Sequence, residues 1–124
     1  MSADLIKKNF LFVNRKAPYG TLHGRESIDA TLMAAAFEQA VSVLYLDDGV
    51  FMLQKGQQAD AIQSQDFSTA LENFTTYGIQ NIYVDQLSMQ QRGLAAEDLL
   101  FDVKILSAEE IAELVDAQDI ILSY

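Results

Sequence analysis

Four residues near the start of the chain could bind an anion: Tyr19, Gly20, Thr21 and Arg25. They surround the expected N-terminus of the first long helix, where free backbone N–H groups and the positive end of the helix dipole attract negative charge. The guanidinium of Arg25 would strengthen that attraction. A simpler interpretation is an ordinary turn from strand to helix, in which Arg25 pairs with an acidic residue of the helix. Neither GxGxxG nor GK[ST] occurs, so nucleotide binding has little support.

Carboxylates follow two of the expected strands. Asp47 and Asp48 come directly after one strand, and Asp85 ends another. Because parallel strands end at the same edge of a sheet, Asp47 and Asp85 could meet there and hold a hard cation or act as an acid–base pair. Consecutive residues on a strand point in opposite directions, however, and Asp48-Gly49 is most simply a turn. We therefore predict no metal site and no cofactor.

Thiol chemistry is excluded by composition. The chain contains no cysteine, so it can form no disulfide, no thiolate metal site and no cysteine persulfide. Its single histidine, His23, would need an oriented partner and a nucleophile to serve as a general base, and nothing in the sequence aligns them. We expect His23 to be an exposed loop residue and assign no catalytic residue.

Hydrophobic periodicity predicts how these residues are positioned. Buried apolar runs alternate with amphipathic segments, which favours one domain over residues 1–124. The fold class is a three-layer α/β/α sandwich with a mainly parallel five-stranded sheet. Strands are expected at 9–13, 41–46, 79–84, around 103–105 and at 120–122. Helices are expected at 25–39, 67–77 and 88–92, with a last one after the capping box that begins at Ser107.

An apolar segment directly follows Asp47-Asp48-Gly49. It consists of Val50, Phe51, Met52 and Leu53. Exposing such residues costs roughly 25 cal/mol per Å² of apolar surface. They must therefore cover either the core of this domain or the surface of a partner, and the sequence leaves these two alternatives open.

Several segments together resemble the TusC/DsrF family. They are 17–21 (APYGT), 24–30 (GRESIDA), 47–51 (DDGVF), 88–94 (SMQQRGL) and 119–122 (DIIL). No single segment is diagnostic, but their order and spacing make the match specific over nearly the whole chain. Members of this family are the C subunit of the TusBCD sulfur-relay complex, or of its DsrEFH relative in sulfur-oxidising organisms.

The resemblance implies a DsrE/DsrF-like fold and a non-catalytic subunit that supports 2-thiouridine formation at the tRNA wobble position. Its partners would be TusB-like and TusD-like subunits in a heterohexamer. In the family, the D subunit carries the relay cysteine near the end of a strand that resembles 82–85, where this chain has Tyr83 and Asp85 instead. The expected interface residues are Val50, Phe51, Met52, Leu53 and Arg92.

Two alternatives to tRNA thiolation stay open. One is a DsrEFH-type subunit in dissimilatory sulfur oxidation. The other is a small α/β enzyme or ligand-binding protein that uses the Tyr19–Arg25 loop and Asp47. The sequence does not separate these uses.

Charge and hydropathy limit the remaining partners. The formal net charge is −10, and five of the eight basic residues lie in the first 25 positions. Nucleic-acid binding depends on neutralised phosphates, so direct contact with tRNA is not expected. No apolar run reaches the 18 or more residues of a membrane span, and no signal peptide is evident. We expect a cytoplasmic protein without membrane contact.

Overall fold

The computed structural model describes residues 7–16, 23–54, 73–74, 76–79, 81–99 and 103–124, and at 23–25 the backbone alone. Within these residues it contains five strands: β1 (Asn9–Asn14), β2 (Ala40–Tyr45), β3 (Asn81–Asp85), β4 (Lys104–Leu106) and β5 (Ile120–Ser123). The α-helices with both ends described are α1 (His23–Ala36), α2 (Gln86–Gln91) and α3 (Ala108–Asp116), and residues 73–74 and 76 are also helical. Two 3₁₀ helices span Asp47–Leu53 and Ala96–Asp98.

The five strands form one parallel sheet in the order β4-β3-β2-β1-β5. From β1 to β4, each strand is added on the same side of the one before it, and right-handed crossovers then place the connecting helices on one face. The connection from β4 to β5 runs back across the sheet, so α3 covers the opposite face. The predicted fold class, a sandwich with a parallel five-stranded sheet, is confirmed.

Each face of the sheet has its own core. On the α1 face, Phe12, Val43 and Tyr45 pack with Ile28 of α1. On the α3 face, alternate residues of the same strands, such as Leu11 and Leu44, are covered by half-buried residues of α3. This alternation follows from the two-residue period of a strand, and the near-continuous apolar runs reflect a sheet covered on both sides.

The helix ends use local signals in the sequence. Ser107 caps α3 by accepting a hydrogen bond from the amide of Glu110 at 3.3 Å, and the Ser107 amide donates to the Glu110 carboxylate at 3.0 Å. The hydrogen bonds from the Ser107 backbone and side chain lower the pKa of Glu110. Gly78 has a φ of +82°, and Ile79 donates to the Phe74 carbonyl at 2.8 Å, as in a glycine-terminated helix. The helix predicted at 67–77 lies largely outside the described residues.

The first helix differs from its prediction in position and in its exposed face. It spans His23–Ala36 instead of 25–39, because Glu38 leaves the helical conformation with a φ of 62°. Met33 and Phe37, which the periodicity would add to the buried stripe, are 62% and 70% exposed. A helical period identifies an apolar face, but it does not tell how much of that face the chain itself covers.

A close backbone contact joins the end of β1 to the segment after β2. Gly49 is buried, and a Cβ atom at this position would lie 1.9 Å from the carbonyl oxygen of Asn14. Only glycine permits this approach. Asp48-Gly49, interpreted from sequence as a turn, and the apolar segment 50–53 both belong to one 3₁₀ helix. Within the described residues, none of the helices is both long and apolar enough to cross a membrane.

Candidate functional site

The carboxyl ends of β1, β2 and β3 carry a group of polar residues, here called the carboxyl-edge cluster: Arg15, Asp47, Asp48, Asp85, Ser88 and Arg92. Its centre is the Ser88 hydroxyl, which is buried. This hydroxyl donates to Asp85 Oδ2 at 2.5 Å and accepts from the backbone N–H of Asp47 at 2.8 Å. Ser88 thereby connects the end of β2 to the end of β3.

Asp85 also organises the start of α2. It is the N-cap residue, and its Oδ2 accepts the backbone N–H of Ser88 at 3.2 Å. A carboxylate in this position satisfies a helix amide that has no partner within the helix and is favoured by the helix dipole. The charge of Asp85 is thus used to fix the backbone.

Asp47 has an unusual backbone conformation. Its φ is 51°, in the left-handed region that aspartate tolerates better than most residues. The bond from its amide to Ser88 holds that conformation, and its carboxylate contacts the Arg15 guanidinium. The distances from Asp47 Oδ2 to Arg15 Nε and Nη2 are both 3.0 Å. This ion pair is largely exposed, so its contribution to stability is at most about 1 kcal/mol.

Arg92 forms the second ion pair of the cluster. Its Nε lies 3.0 Å from Asp48 Oδ1, and its Nη1 donates to the Ser88 carbonyl at 3.2 Å. The Arg92 side chain is 21% exposed, whereas that of Asp48 is 60% exposed. Arg92 is therefore held more firmly than a typical surface arginine and presents a fixed part of the edge.

The polar groups of this cluster are bonded to one another. Asp47 and Asp85 both contact Ser88, but Asp47 does so through its backbone, and its carboxylate is directed to Arg15. The Ser88 hydroxyl is buried and engaged as both donor and acceptor. Over the part of the chain that is described, no three His, Cys, Asp or Glu residues are grouped so that they could hold a metal ion. The exposed part of the cluster consists of its two ion pairs.

Tyr45, at the end of β2, offers no base either. It is fully buried, and burial raises the pKa of its phenol far above the ordinary value. The hydroxyl therefore stays protonated throughout the physiological range.

Replacing Ser88 tests whether the hydroxyl organises the cluster. We expect Ser88→Ala to lower the free energy of unfolding by about 1–3 kcal/mol, because the Asp47 amide loses its acceptor and Asp85 loses a donor. Urea denaturation of the isolated chain measures this. Ser107→Ala serves as a control, because it removes a capping hydroxyl that bonds within the first turn of α3 and not to a member of the cluster. An unchanged stability for Ser88→Ala would show that the hydroxyl does not hold these two strand ends.

Comparisons with known proteins give the chain a family. Residues 8–124 match the DsrE/DsrF-like family. The chain belongs to the DsrE/DsrF-like family. Among its relatives, the intracellular sulfur oxidation protein DsrF of Allochromatium vinosum is 36% identical, over 98% of this chain and 99% of that protein. A TusC homolog of Vibrio vulnificus is 37% identical, over 91% of this chain and 96% of the relative.

Solved structures show the same DsrE/DsrF-like fold at lower identity. The ychN protein of Escherichia coli superimposes with a TM-score of 0.79 and 20% identity, over 96% of this chain and 100% of that one. A protein of unknown function from Methanobacterium thermoautotrophicum gives a TM-score of 0.70 and 13% identity, over 95% of this chain. These two likenesses concern the fold alone.

The residues expected to form an interface divide into two groups in this DsrE/DsrF-like chain. Val50, Met52 and Leu53 are buried in the core on the α1 face. Of the two alternatives for these three side chains, the structure shows the core. Phe51 is half-buried, and Arg92 belongs to the carboxyl-edge cluster. An interface role therefore stays a prediction for Phe51 and Arg92.

The predicted anion site lies mostly outside the described residues. This applies to Tyr19, Gly20 and Thr21, whereas Arg25 is described only as backbone in the first turn of α1. Sequence reasoning did not single out Arg15 or Ser88 as members of a site. A signal for Ser88 was present, because an aspartate three residues before it is a common helix N-cap pattern. The pairing of Arg15 with Asp47 has no such local signal.

Proposed function

We propose that this chain is a non-catalytic structural subunit of a TusBCD-like sulfur-relay complex that supports 2-thiouridine formation at the tRNA wobble position. The observation that carries the proposal is which residues occupy the carboxyl edge of the sheet. Where the resemblance places a relay cysteine on the D subunit, this chain has Tyr83 and Asp85, and Asp85 caps a helix. With no cysteine in its 124 residues, the chain has no atom that could carry a persulfide.

The relatives support a role in sulfur transfer. Several are named TusC homolog, from Vibrio, Aliivibrio and Pseudomonas species, at 30–38% identity. Each match covers more than nine-tenths of both chains. Similarity over the full length argues that the whole domain, and not one motif, is retained for this use. The proposal places the complex in the cytoplasm, where tRNA is modified.

The partners we propose are TusB-like and TusD-like subunits, with two copies of each subunit in a heterohexamer. The carboxyl-edge cluster, together with Phe51, is the surface proposed to meet the relay subunit. Two ion pairs lie there, and the half-buried Phe51 follows Asp47 and Asp48 in the same 3₁₀ helix. Such an arrangement of apolar centre and charged rim is common at protein interfaces.

A DsrEFH-type role in sulfur oxidation is a second candidate, supported by the DsrF relative that matches over 98% of this chain. The two functions predict different effects of deleting the gene. If the first is right, deleting the gene should lower the 2-thiouridine content of tRNA, measured by nucleoside mass spectrometry. If the second is right, that content should stay normal and oxidation of stored sulfur should fail.

An independent enzyme or ligand-binding role has less support. Of the residues it would use, Asp47 is paired with Arg15, and the Tyr19–Thr21 part of the loop lies outside the described residues. The decisive test is assembly. Co-expression with TusB-like and TusD-like subunits from the same genome should yield one complex on gel filtration with light scattering. A chain that elutes alone after co-expression with both would contradict the structural role.

A further inference from the structure

One apolar region of the surface is not covered by the helices that the structure describes. It is a groove of about 550 Å³ between α1 and β5, here called the α1–β5 groove. Its floor is formed by Phe10 and Phe12 of β1, whose stacked rings have centroids 6.1 Å apart. Met33 and Phe37 of α1 form one wall, and Leu122 of β5 forms the other.

The topology explains why the groove is open. The helices on the α1 face connect strands that are added one after another in the direction from β1 to β4. β5 instead pairs with the opposite edge of β1. The one helix that precedes β5 along the chain, α3, lies on the opposite face. Thus Leu122 on the α1 face is 39% exposed despite its place in the sheet. A side chain from outside would fit in this place, where none of the described helices lies.

The exposed side of α1 carries both protruding and small residues. At 100° per residue, Glu26, Ala30, Met33, Ala34 and Phe37 fall within an arc of about 100°. Met33 and Phe37 protrude, with 62% and 70% of their surface exposed. The two alanines beside them are half-buried against the core on the α1 face. Phe37 stands at the C-terminal end of this stripe, next to the groove that it lines.

We propose that this surface binds a second copy of the same chain, with the two α1 helices antiparallel across a two-fold axis. This surface is self-complementary, as a two-fold interface requires, because the same patch of both copies must fit itself. This patch contains both the protruding aromatic side chain and the apolar groove that can receive it. A different partner would have to supply both an apolar side chain for the groove and a separate apolar surface for Phe37.

Charge supports the antiparallel orientation. Glu26 lies at the N-terminal end of the stripe, and Lys8 lines the groove at the opposite end. The backbone of Lys8 is held there, since its N–H donates to Gln39 Oε1 at 2.8 Å. Antiparallel pairing brings Glu26 of each copy to Lys8 of the other. It thus places opposite charges at both ends of the interface, in a chain whose overall charge of −10 would otherwise oppose association.

A single introduced cysteine can detect this contact. The midpoint between Glu26 and Gln39 falls at Met33, so the two Met33 side chains should lie near the axis. Because the chain has no cysteine of its own, Met33→Cys gives one unambiguous crosslinking position. Under mild oxidation we expect most of the Met33→Cys chain to form a disulfide-linked dimer. Leu87→Cys is the matched control, since Leu87 is 56% exposed but lies on α2, and it should stay monomeric.

A charge exchange tests the orientation. Glu26→Lys alone should reduce the yield of the Met33→Cys crosslink at least several-fold, and the further change Lys8→Glu should restore it. Failure of the second change to restore the crosslink would overturn the antiparallel arrangement. Equal crosslinking at Met33 and Leu87 would show random collision and overturn the interface itself.

The inference concerns the chain alone and does not depend on the proposed relay function. The same crosslink should be made in the co-expressed complex. A disulfide between Met33→Cys and a TusB-like or TusD-like cysteine, in place of the dimer, would assign the groove to another subunit and overturn the proposal. A complex that fails to assemble while the isolated chain still crosslinks would contradict the relay function and leave this interface supported.

Discussion

Gly49→Ala should destabilise the chain by about 3 kcal/mol or more, the upper range for inserting atoms into a packed interior. The reason is steric, because the added methyl group would lie 1.9 Å from the Asn14 carbonyl oxygen. That oxygen also accepts the Leu46 amide at 3.0 Å, so relief requires moving β1 away from the segment after β2. We expect the urea midpoint to fall sharply, or the folded state to be lost.

Gly93→Ala is the matched control for this substitution. A Cβ atom at Gly93 would meet nothing within 4 Å, although the φ of +70° is unfavourable for alanine. Its cost should therefore be conformational alone, about 1–2 kcal/mol. Equal losses for the two variants would mean that the contact between Gly49 and Asn14 is not tight.

Leu53→Ala should lower the free energy of unfolding by about 3–5 kcal/mol, because it removes a fully buried side chain and leaves a cavity. Phe51→Asp, two residues earlier, should lower it much less, because Phe51 is only half-buried. The opposite order is expected for assembly. Phe51→Asp should abolish co-purification with the partner subunits, whereas Leu53→Ala should still assemble at low temperature while it remains folded.

Denaturation of the isolated chain and gel filtration of the co-expressed complex together measure these two properties. Phe51→Leu is the control that keeps an apolar surface, and it should preserve both. If Phe51→Asp unfolds the chain as readily as Leu53→Ala, then Phe51 belongs to the core and the proposed interface on this edge is wrong.

The fold was predictable where the controlling interactions are local. The capping box at Ser107 and Glu110 lies within four residues, and Gly78 ends its helix through its own backbone preference. The order of apolar runs indicated a mainly parallel five-stranded sheet. The length of α1 was less predictable, because Glu38 adopts a conformation for which sequence rules expect glycine.

The candidate site was predictable only in part, because its contacts join distant segments. Arg15 and Asp47 are 32 residues apart, and Asp48 and Arg92 are 44 apart. No spacing rule connects such pairs. The expectation that Asp47 and Asp85 could meet on one edge was close to the arrangement found, but the link between them is the hydroxyl of Ser88.

Apolar residues were the hardest to interpret from sequence. Two apolar patterns had opposite outcomes. Val50 and Leu53 are buried, whereas Met33 and Phe37 are exposed. The hydrophobic effect favours burial of an apolar side chain, but it does not determine whether the same chain or a partner buries it. Which of the two buries it depends on the topology, and here no described helix covers the α1 face of β5.

The central claim is that this chain organises sulfur transfer without carrying sulfur. The most direct test is a single-turnover relay in which a persulfide donor labelled with sulfur-35 is added to the assembled complex, with the chain present or absent, followed by intact-mass analysis of each subunit. We expect the sulfur-35 label on the TusD-like subunit only and no mass gain on this chain. Transfer should be much slower when the chain is left out. A sulfur adduct on this chain, or an equally fast transfer in its absence, would contradict the central claim.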